Sequence, residues 1–312
     1  MTLARRGWML SLLCGLVLAP WQAVFAEDAT VAASLDPPGL RTHLLLTGEQ
    51  LEAMLGDEDL LLLHVGHGPK GYATRGHVPG AVLIDVLTLL HGFEGAADAE
   101  ARRDAVLGWL RRHGVDGRRR VVLYDEATGL LAARVYAELA KFGLADRTAM
   151  LDGHWRRWVA DGRPVDKGGV EVQATDWAPR RDDSLAVLFG QVHTGLRVPG
   201  WTLVDARQPR YFRGEQKGWS ELQEAGHIPG AVNVHWRGML ASIQDPVLKP
   251  VDELRTMYAG VDPDKRVVAY CATGTQSSYT FFVLRYLGYD AVWYDGSLVD
   301  WQARGGETAR VE

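Results

Sequence analysis

Two apolar patterns alternate along this chain of 312 residues. Short unbroken runs such as Val121-Val122-Leu123-Tyr124 and Val267-Val268-Ala269-Tyr270 are too brief for an ordinary helix. Rich in β-branched residues, they predict strands buried on both faces of a parallel sheet. Further short strands are expected over 201–206, 230–234 and 291–294. Between them, apolar residues recur at helical spacing and predict helices over 47–55, 99–113, 130–142, 252–259 and 277–287. Strands that alternate with helices imply an α/β fold, a mainly parallel sheet with helices on both faces.

The pattern occurs twice. Gly76-His77-Val78-Pro79-Gly80-Ala81-Val82 returns as Gly226-His227-Ile228-Pro229-Gly230-Ala231-Val232. In the same order, Val115-Asp116 matches Val261-Asp262, Leu151-Asp152-Gly153 matches Tyr294-Asp295-Gly296, and Trp158 matches Trp301. An ordered series of matches marks a duplicated domain. The copies are expected over 40–165 and 184–308, joined by a linker over 166–183 within a stretch rich in Gly, Pro and charge.

Residues 1–26 read differently. Arg5 and Arg6 precede an uncharged Leu-rich run, and Val24-Phe25-Ala26 offers small residues at the positions a signal peptidase reads. That order predicts a cleaved secretory signal, too short to span a bilayer, and so an exported protein, periplasmic in a Gram-negative host, with no stable membrane insertion. Cleavage removes two arginines and no acid, taking the net charge from −5 to −7. An acidic chain has no footprint for a nucleic-acid backbone. Cleavage also removes Cys14 and leaves Cys271 as the one cysteine, so no internal disulfide can form.

A lone thiol in an oxidising compartment is either an inert core residue or is present for its chemistry. Local sequence favours chemistry: Cys271 ends an apolar strand, and Ala272-Thr273-Gly274-Thr275-Gln276 leads into a helix. Loops of this kind turn backbone N–H groups inward and sit on a helix N-terminus, so a cysteine there would be held as thiolate. Gly274 permits the tight curve, and Ser277 or Ser278 is expected to cap the helix.

These features together resemble the rhodanese family of sulfurtransferases in its two-domain form. The elements are the doubled Gly-His-Val/Ile-Pro-Gly-Ala, the loop at Cys271, Asp205-Ala206-Arg207 and Tyr294-Asp295-Gly296, spread over about residues 45–304. The resemblance implies two tandem rhodanese-like domains, the first catalytically silent because Asp125 stands at the position of the cysteine. It implies transfer of a sulfane sulfur through a Cys271 persulfide, without metal or cofactor, from a small-molecule donor to a thiol or cyanide. The donor it implies is thiosulfate or 3-mercaptopyruvate; the loop has no basic residue, and Thr273-Gly274 leans toward the second. Donor-binding residues implied are Arg207, Arg210 (with Arg213 as rival), Ala272, Thr273, Gly274, Thr275, Gln276 and Ser277.

Other readings stay open. A cysteine-dependent phosphatase or arsenate reductase would need an arginine closing the loop, where Gln276 and Ser277 stand. A non-catalytic sulfur-carrier module is the other alternative. His77 and His227 read as turn residues because both copies have them. His64 and His67 lack a carboxylate or thiol partner at metal spacing.

Overall fold

The computed structural model describes residues 39–93, 96–180 and 182–311. The expected leader over 1–26, with Cys14, lies outside the described residues. No helix among the described residues is long and apolar enough to cross a membrane.

The first copy builds a five-stranded sheet from β1 (Leu45–Leu46), β2 (Leu60–Gly66), β3 (Val82–Asp85), β4 (Arg120–Asp125) and β5 (Thr148–Leu151). Its order is β1-β5-β4-β2-β3, every pair parallel. The second builds a four-stranded sheet from β6 (Trp201–Asp205), β7 (Val232–Asn233), β8 (Arg266–Tyr270) and β9 (Ala291–Trp293), also all parallel, in the order β7-β6-β8-β9. Parallel neighbours need long crossovers, which the helices provide. β4 and β8 lie inside their sheets and are buried after their first residue, as unbroken apolar runs require.

Residue parity sorts the strand side chains into layers. On β4, Val121 and Leu123 point to one face, Val122 and Tyr124 to the other. On β8, Val267 and Ala269 oppose Val268 and Tyr270 in the same way. The odd-numbered sets of both copies join one continuous apolar core, and each even-numbered set has an outer core of its own. At the centre of the shared core lie the helices Leu130–Ala140 and Thr275–Tyr286. Tyr136 meets Phe282 edge-on, ring centres 5.0 Å apart, and Arg285 bonds both the Tyr136 hydroxyl and Asp146. Each fully buried aromatic there contributes on the order of 1.5–3 kcal/mol, which makes the two copies one folding unit.

The repeated motif builds the same turn twice. The Val78 N–H donates to the Tyr124 hydroxyl, and the Ile228 N–H to that of Tyr270. His77 stacks on Tyr72 and His227 on Phe212, and each pairs its backbone with the chain that leaves its copy, at Asp166 and Ala309. These histidines are therefore turn residues in both copies. The stretch expected as linker lies back along the first copy: Thr175 bonds Arg111, Arg111 bonds the Trp177 carbonyl, and the Trp177 ring meets Phe142.

Candidate active site

Cys271 directly follows β8 and continues the parity of Val267 and Ala269, so its sulfur turns toward the shared core and the first copy. The chain then curls through Ala272 and Thr273 to Gly274, whose φ of 92° is left-handed, and the helix begins at Thr275. A side chain on Gly274 would strain this φ, and its Cβ would fall 2.5 Å from the Asp295 carbonyl and 2.9 Å from Arg134 Nη1.

The Gly274 N–H donates to Cys271 Sγ at 3.2 Å. Ser297 Oγ lies 3.9 Å from Sγ and accepts the Cys271 N–H at 3.1 Å. Ser297 follows β9 at a φ of 52°, a left-handed conformation unusual for serine, and donates to the Tyr294 carbonyl. Trp293 Nε1 closes the opposite side, donating to the Gly274 carbonyl and Ser277 Oγ at 3.1 Å each. Cys271 is only 1 % exposed. Carbon surrounds much of it, and the expected ring of amides is represented by one hydrogen bond from Gly274 and the Ser297 hydroxyl nearby.

The helix cap corrects the sequence reading. Neither Ser277 nor Ser278 caps the helix; Gly274 stands at that position without a side chain to offer. Two and three residues into the helix, both hydroxyls instead back-bond, Ser277 to the Gly274 carbonyl and Ser278 to that of Thr275. Among the other loop residues, Ala272 is buried, Thr273 exposed, and Thr275 and Gln276 half-buried. The Gln276 Oε1 atom is buried without a hydrogen-bond partner, an acceptor left available beside the loop.

The arginines differ sharply. Arg207 is fully buried and grips Asp205, with Nε at 3.0 and 3.1 Å and Nη2 at 2.6 Å from the carboxylate; Nη2 also donates to the Gly226 carbonyl. Its Nη1 is buried and unpartnered. Burial would lower this guanidinium, but the Asp205 carboxylate, with smaller contributions from Tyr270 and the Cys271 sulfur, raises it above its ordinary value. Arg210 is exposed and lies over the Tyr211 ring at 4.9 Å. Arg213 is exposed and paired with Glu215. Both border an open 430 Å³ hollow with Gln208, Pro209 and His235.

Sequence reasoning missed a cation from the other copy. Arg134, on the helix Leu130–Ala140, reaches Asp295 Oδ1 with Nη1 at 2.6 Å and Glu138 with Nη2 at 3.1 Å, its guanidinium carbon 4.5 Å from the centre of the Trp293 ring. Lys141 closes the same network at Asp295 and Glu138. Burial would raise the Asp295 carboxyl; Arg134 and Lys141 outweigh it and hold the group well below the usual carboxylate range. A signal was present: Arg134 and Glu138, four residues apart, interrupt an otherwise apolar helix. Buried charges are rarely tolerated unless paired.

In the first copy, the matching loop holds a carboxylate. Asp125 accepts the N–H groups of Ala127, Gly129, Leu131 and Ala132 at 2.8–3.3 Å. Gly129 is left-handed like Gly274, and His154 takes the left-handed position that Ser297 takes in the second copy. His64 is engaged within the first copy: its Nδ1 lies 3.0 Å from the Tyr124 hydroxyl and its Nε2 3.5 Å from Glu126. Among the described residues no group of three His, Cys, Asp or Glu side chains is placed to hold a metal ion.

Comparison with known proteins agrees with this architecture. The family model for the rhodanese-like domain matches twice, over 47–161 and 189–304. A Mycobacterium bovis protein named "Putative thiosulfate sulfurtransferase 1" is 30% identical, over 83% of this chain and 96% of its own. Two solved structures share the fold. SseA, a 3-mercaptopyruvate sulfotransferase from Escherichia coli, has a TM-score of 0.67 and 24% identity, over 82% of this chain and 99% of its own. An anaerobic ergothioneine biosynthesis enzyme from Chlorobium limicola, solved with trimethyl histidine, has a TM-score of 0.75 and 21% identity, over 92% and 75%.

Proposed function

The chain belongs to the rhodanese family, and we propose that it transfers a sulfane sulfur from thiosulfate, with 3-mercaptopyruvate as the second candidate donor, through Cys271. The observation that carries this reading is the sulfur at the end of β8, hydrogen-bonded by the Gly274 amide, with buried guanidiniums from both copies in electrostatic reach. In the first half-reaction the Cys271 thiolate attacks the outer sulfur of thiosulfate; the S–S bond of the donor breaks and sulfite leaves with the electron pair. In the second, cyanide or a thiolate attacks the outer sulfur of the persulfide, and the Cys271 thiolate is released. This is covalent catalysis in which fixed dipoles stabilise the charged sulfur.

The first copy supplies a physical template for the charged intermediate. The first loop is one residue longer; aligned on the left-handed glycines, the amides of Gly129, Leu131 and Ala132 that bind the Asp125 carboxylate correspond to those of Gly274, Gln276 and Ser277. An added outer sulfur carrying negative charge would extend into that space. Arg207 Nη1 and the Gln276 amide are the remaining polar groups for a donor or acceptor. The leader signature supports an exported protein.

One observation favours a second reading. A cysteine with 1 % exposure suits a carrier that is loaded slowly by a partner as well as an enzyme whose loop opens. Mass spectrometry after thiosulfate treatment is the first test: a gain of one sulfur on Cys271, reversed by cyanide, is expected. No gain with either donor would overturn the proposal. Steady production of thiocyanate marks an enzyme, and a single stoichiometric release marks a carrier.

A further inference from the structure

We infer that Arg134, supplied by the copy that has no cysteine, is a positioning residue for the Cys271 thiolate, so that the silent domain completes the site. The inference rests on Cys271 being the sulfur-accepting group.

The geometry puts Arg134 on both flanks of the loop. On one side its Nη1 stands where a Cβ on Gly274 would be 2.9 Å away, beside the residue whose N–H holds the sulfur. On the other it binds Asp295, two residues before Ser297, whose hydroxyl accepts the Cys271 N–H. Its guanidinium also lies over Trp293, the ring that ties the Gly274 carbonyl to Ser277. One buried side chain therefore touches or neighbours three of the supports of the loop, and all of this crosses the boundary between the copies.

Two buried cations come within electrostatic reach of the sulfur, one from each copy. Arg207 approaches Cys271 from β6, but three of its contacts go to the Asp205 carboxylate. Arg134 is likewise paired, with Asp295 and Glu138, and Glu138 is shared with Arg102 and Lys141. Its Nε remains buried and unpartnered. Burial lowers the guanidinium, the two carboxylates more than restore it, and the Cys271 sulfur adds to that. Arg134 and Arg207 thus act on the sulfur, the first held by Asp295 and Glu138 with Lys141 in the same network, the second by Asp205 with Tyr270 beside it.

The opposite loop shows that this placement is selective. Arg134 is the fifth residue of its helix, and Tyr279 is the fifth residue of the partner helix in the second copy. Burial, then Asp152 and Asp125, raise the Tyr279 hydroxyl well above its ordinary value, so it stays neutral beside the carboxylate loop. A cation faces the loop that holds the sulfur, and a phenol faces the loop whose carboxylate is already bonded by four of its own amides.

The test titrates the thiolate by its ultraviolet absorbance in the full chain, each protein read against its own Cys271→Ser counterpart. Arg134→Gln combined with Glu138→Gln removes one buried cation and one buried anion together. The expected result is an upward shift of the thiolate midpoint by about one pH unit, the size of one lost opposite charge, with kcat for thiosulfate lowered about tenfold. Arg134→Lys, which keeps the charge, should hold the midpoint close to wild type. A double variant that melts cooperatively yet keeps the wild-type midpoint and kcat overturns the inference. If that pair fails to fold, Arg134→Met with Glu138→Leu, which replaces the ion pair by hydrocarbon, is titrated instead and the same two results decide. Failure of the nucleophile reading is distinct: wild-type protein would then gain no sulfur on Cys271 at all.

Discussion

The loops after β4 and β8 share a frame and differ in what fills it. Each leaves the carboxyl end of an interior strand, bends at a left-handed glycine and enters a helix that packs in the common core. In the first, the two carboxylate oxygens of Asp125 accept four amides. In the second, the single sulfur of Cys271 accepts one. The difference teaches that one frame can hold either a carboxylate bonded by four amides or a thiol sulfur bonded by one. The architecture is common to both loops, and of the two only the second carries a thiol.

The largest test of this contrast is Cys271→Ser. Sulfur transfer from thiosulfate to cyanide should fall to the uncatalysed rate, while the melting midpoint stays near wild type because the change is small. Retained turnover would remove Cys271 from the mechanism.

Next in size is Arg207→Ala. It leaves the fully buried Asp205 carboxylate without its cation, a loss of about 3–5 kcal/mol, measurable by denaturant unfolding. In protein that still folds, the KM for anionic donors should rise. An unchanged unfolding midpoint would contradict the buried pair.

Asp125→Ala strips four amides of their acceptor at once and should cost about 3 kcal/mol of stability. Transfer at Cys271 should remain within about twofold of wild type, since the substitution lies in the loop without a nucleophile. A loss of activity exceeding the loss of folded protein would mean that the first loop takes part in the chemistry.

A smaller effect depends on pH. Asp152, in the turn after β5, accepts the Leu248 N–H of the second copy at 2.8 Å. Burial raises its carboxyl from the ordinary 3.8 to about 6. The folded state therefore binds this proton more tightly than the unfolded chain, and stability falls as pH rises from about 4 to 6. Asp152→Asn should remove that decline, at most about 3 kcal/mol, and unfolding midpoints at pH 4 and 7 would show it. His64 works in the opposite sense: burial depresses it from 6.5 to about 4, so its contribution is lost as pH falls through that window. The smallest effect is expected at Arg210→Ala, exposed and stacked only on Tyr211, with less than about 0.5 kcal/mol on stability. A raised KM without lost stability would place it at the donor.

Much of this was open to inspection in the residue order. The duplication, the parallel sheets and the strand-to-helix loop at Cys271 follow from short apolar runs, repeated turns and a glycine three residues past the cysteine. Such features are local, and a strand period of two fixes which residues share a face. By the same parity Cys271 falls with Val267 and Ala269. Helix ends were less legible. Ser277 and Ser278 have the side chains of a cap, yet the left-handed turn at Gly274 starts the helix earlier and takes the cap position from them.

What the chain alone did not disclose is the environment of the sulfur. Its burial, the engagement of Arg207 by Asp205, the left-handed Ser297 and the arrival of Arg134 depend on groups far apart in the chain. Arg134 and Asp295 are separated by 161 positions and meet at 2.6 Å. Local propensity decides where strands and helices form. The electrostatic partners of a buried atom are decided when two apolar helix faces close on each other and carry their few charged residues into the same dry space.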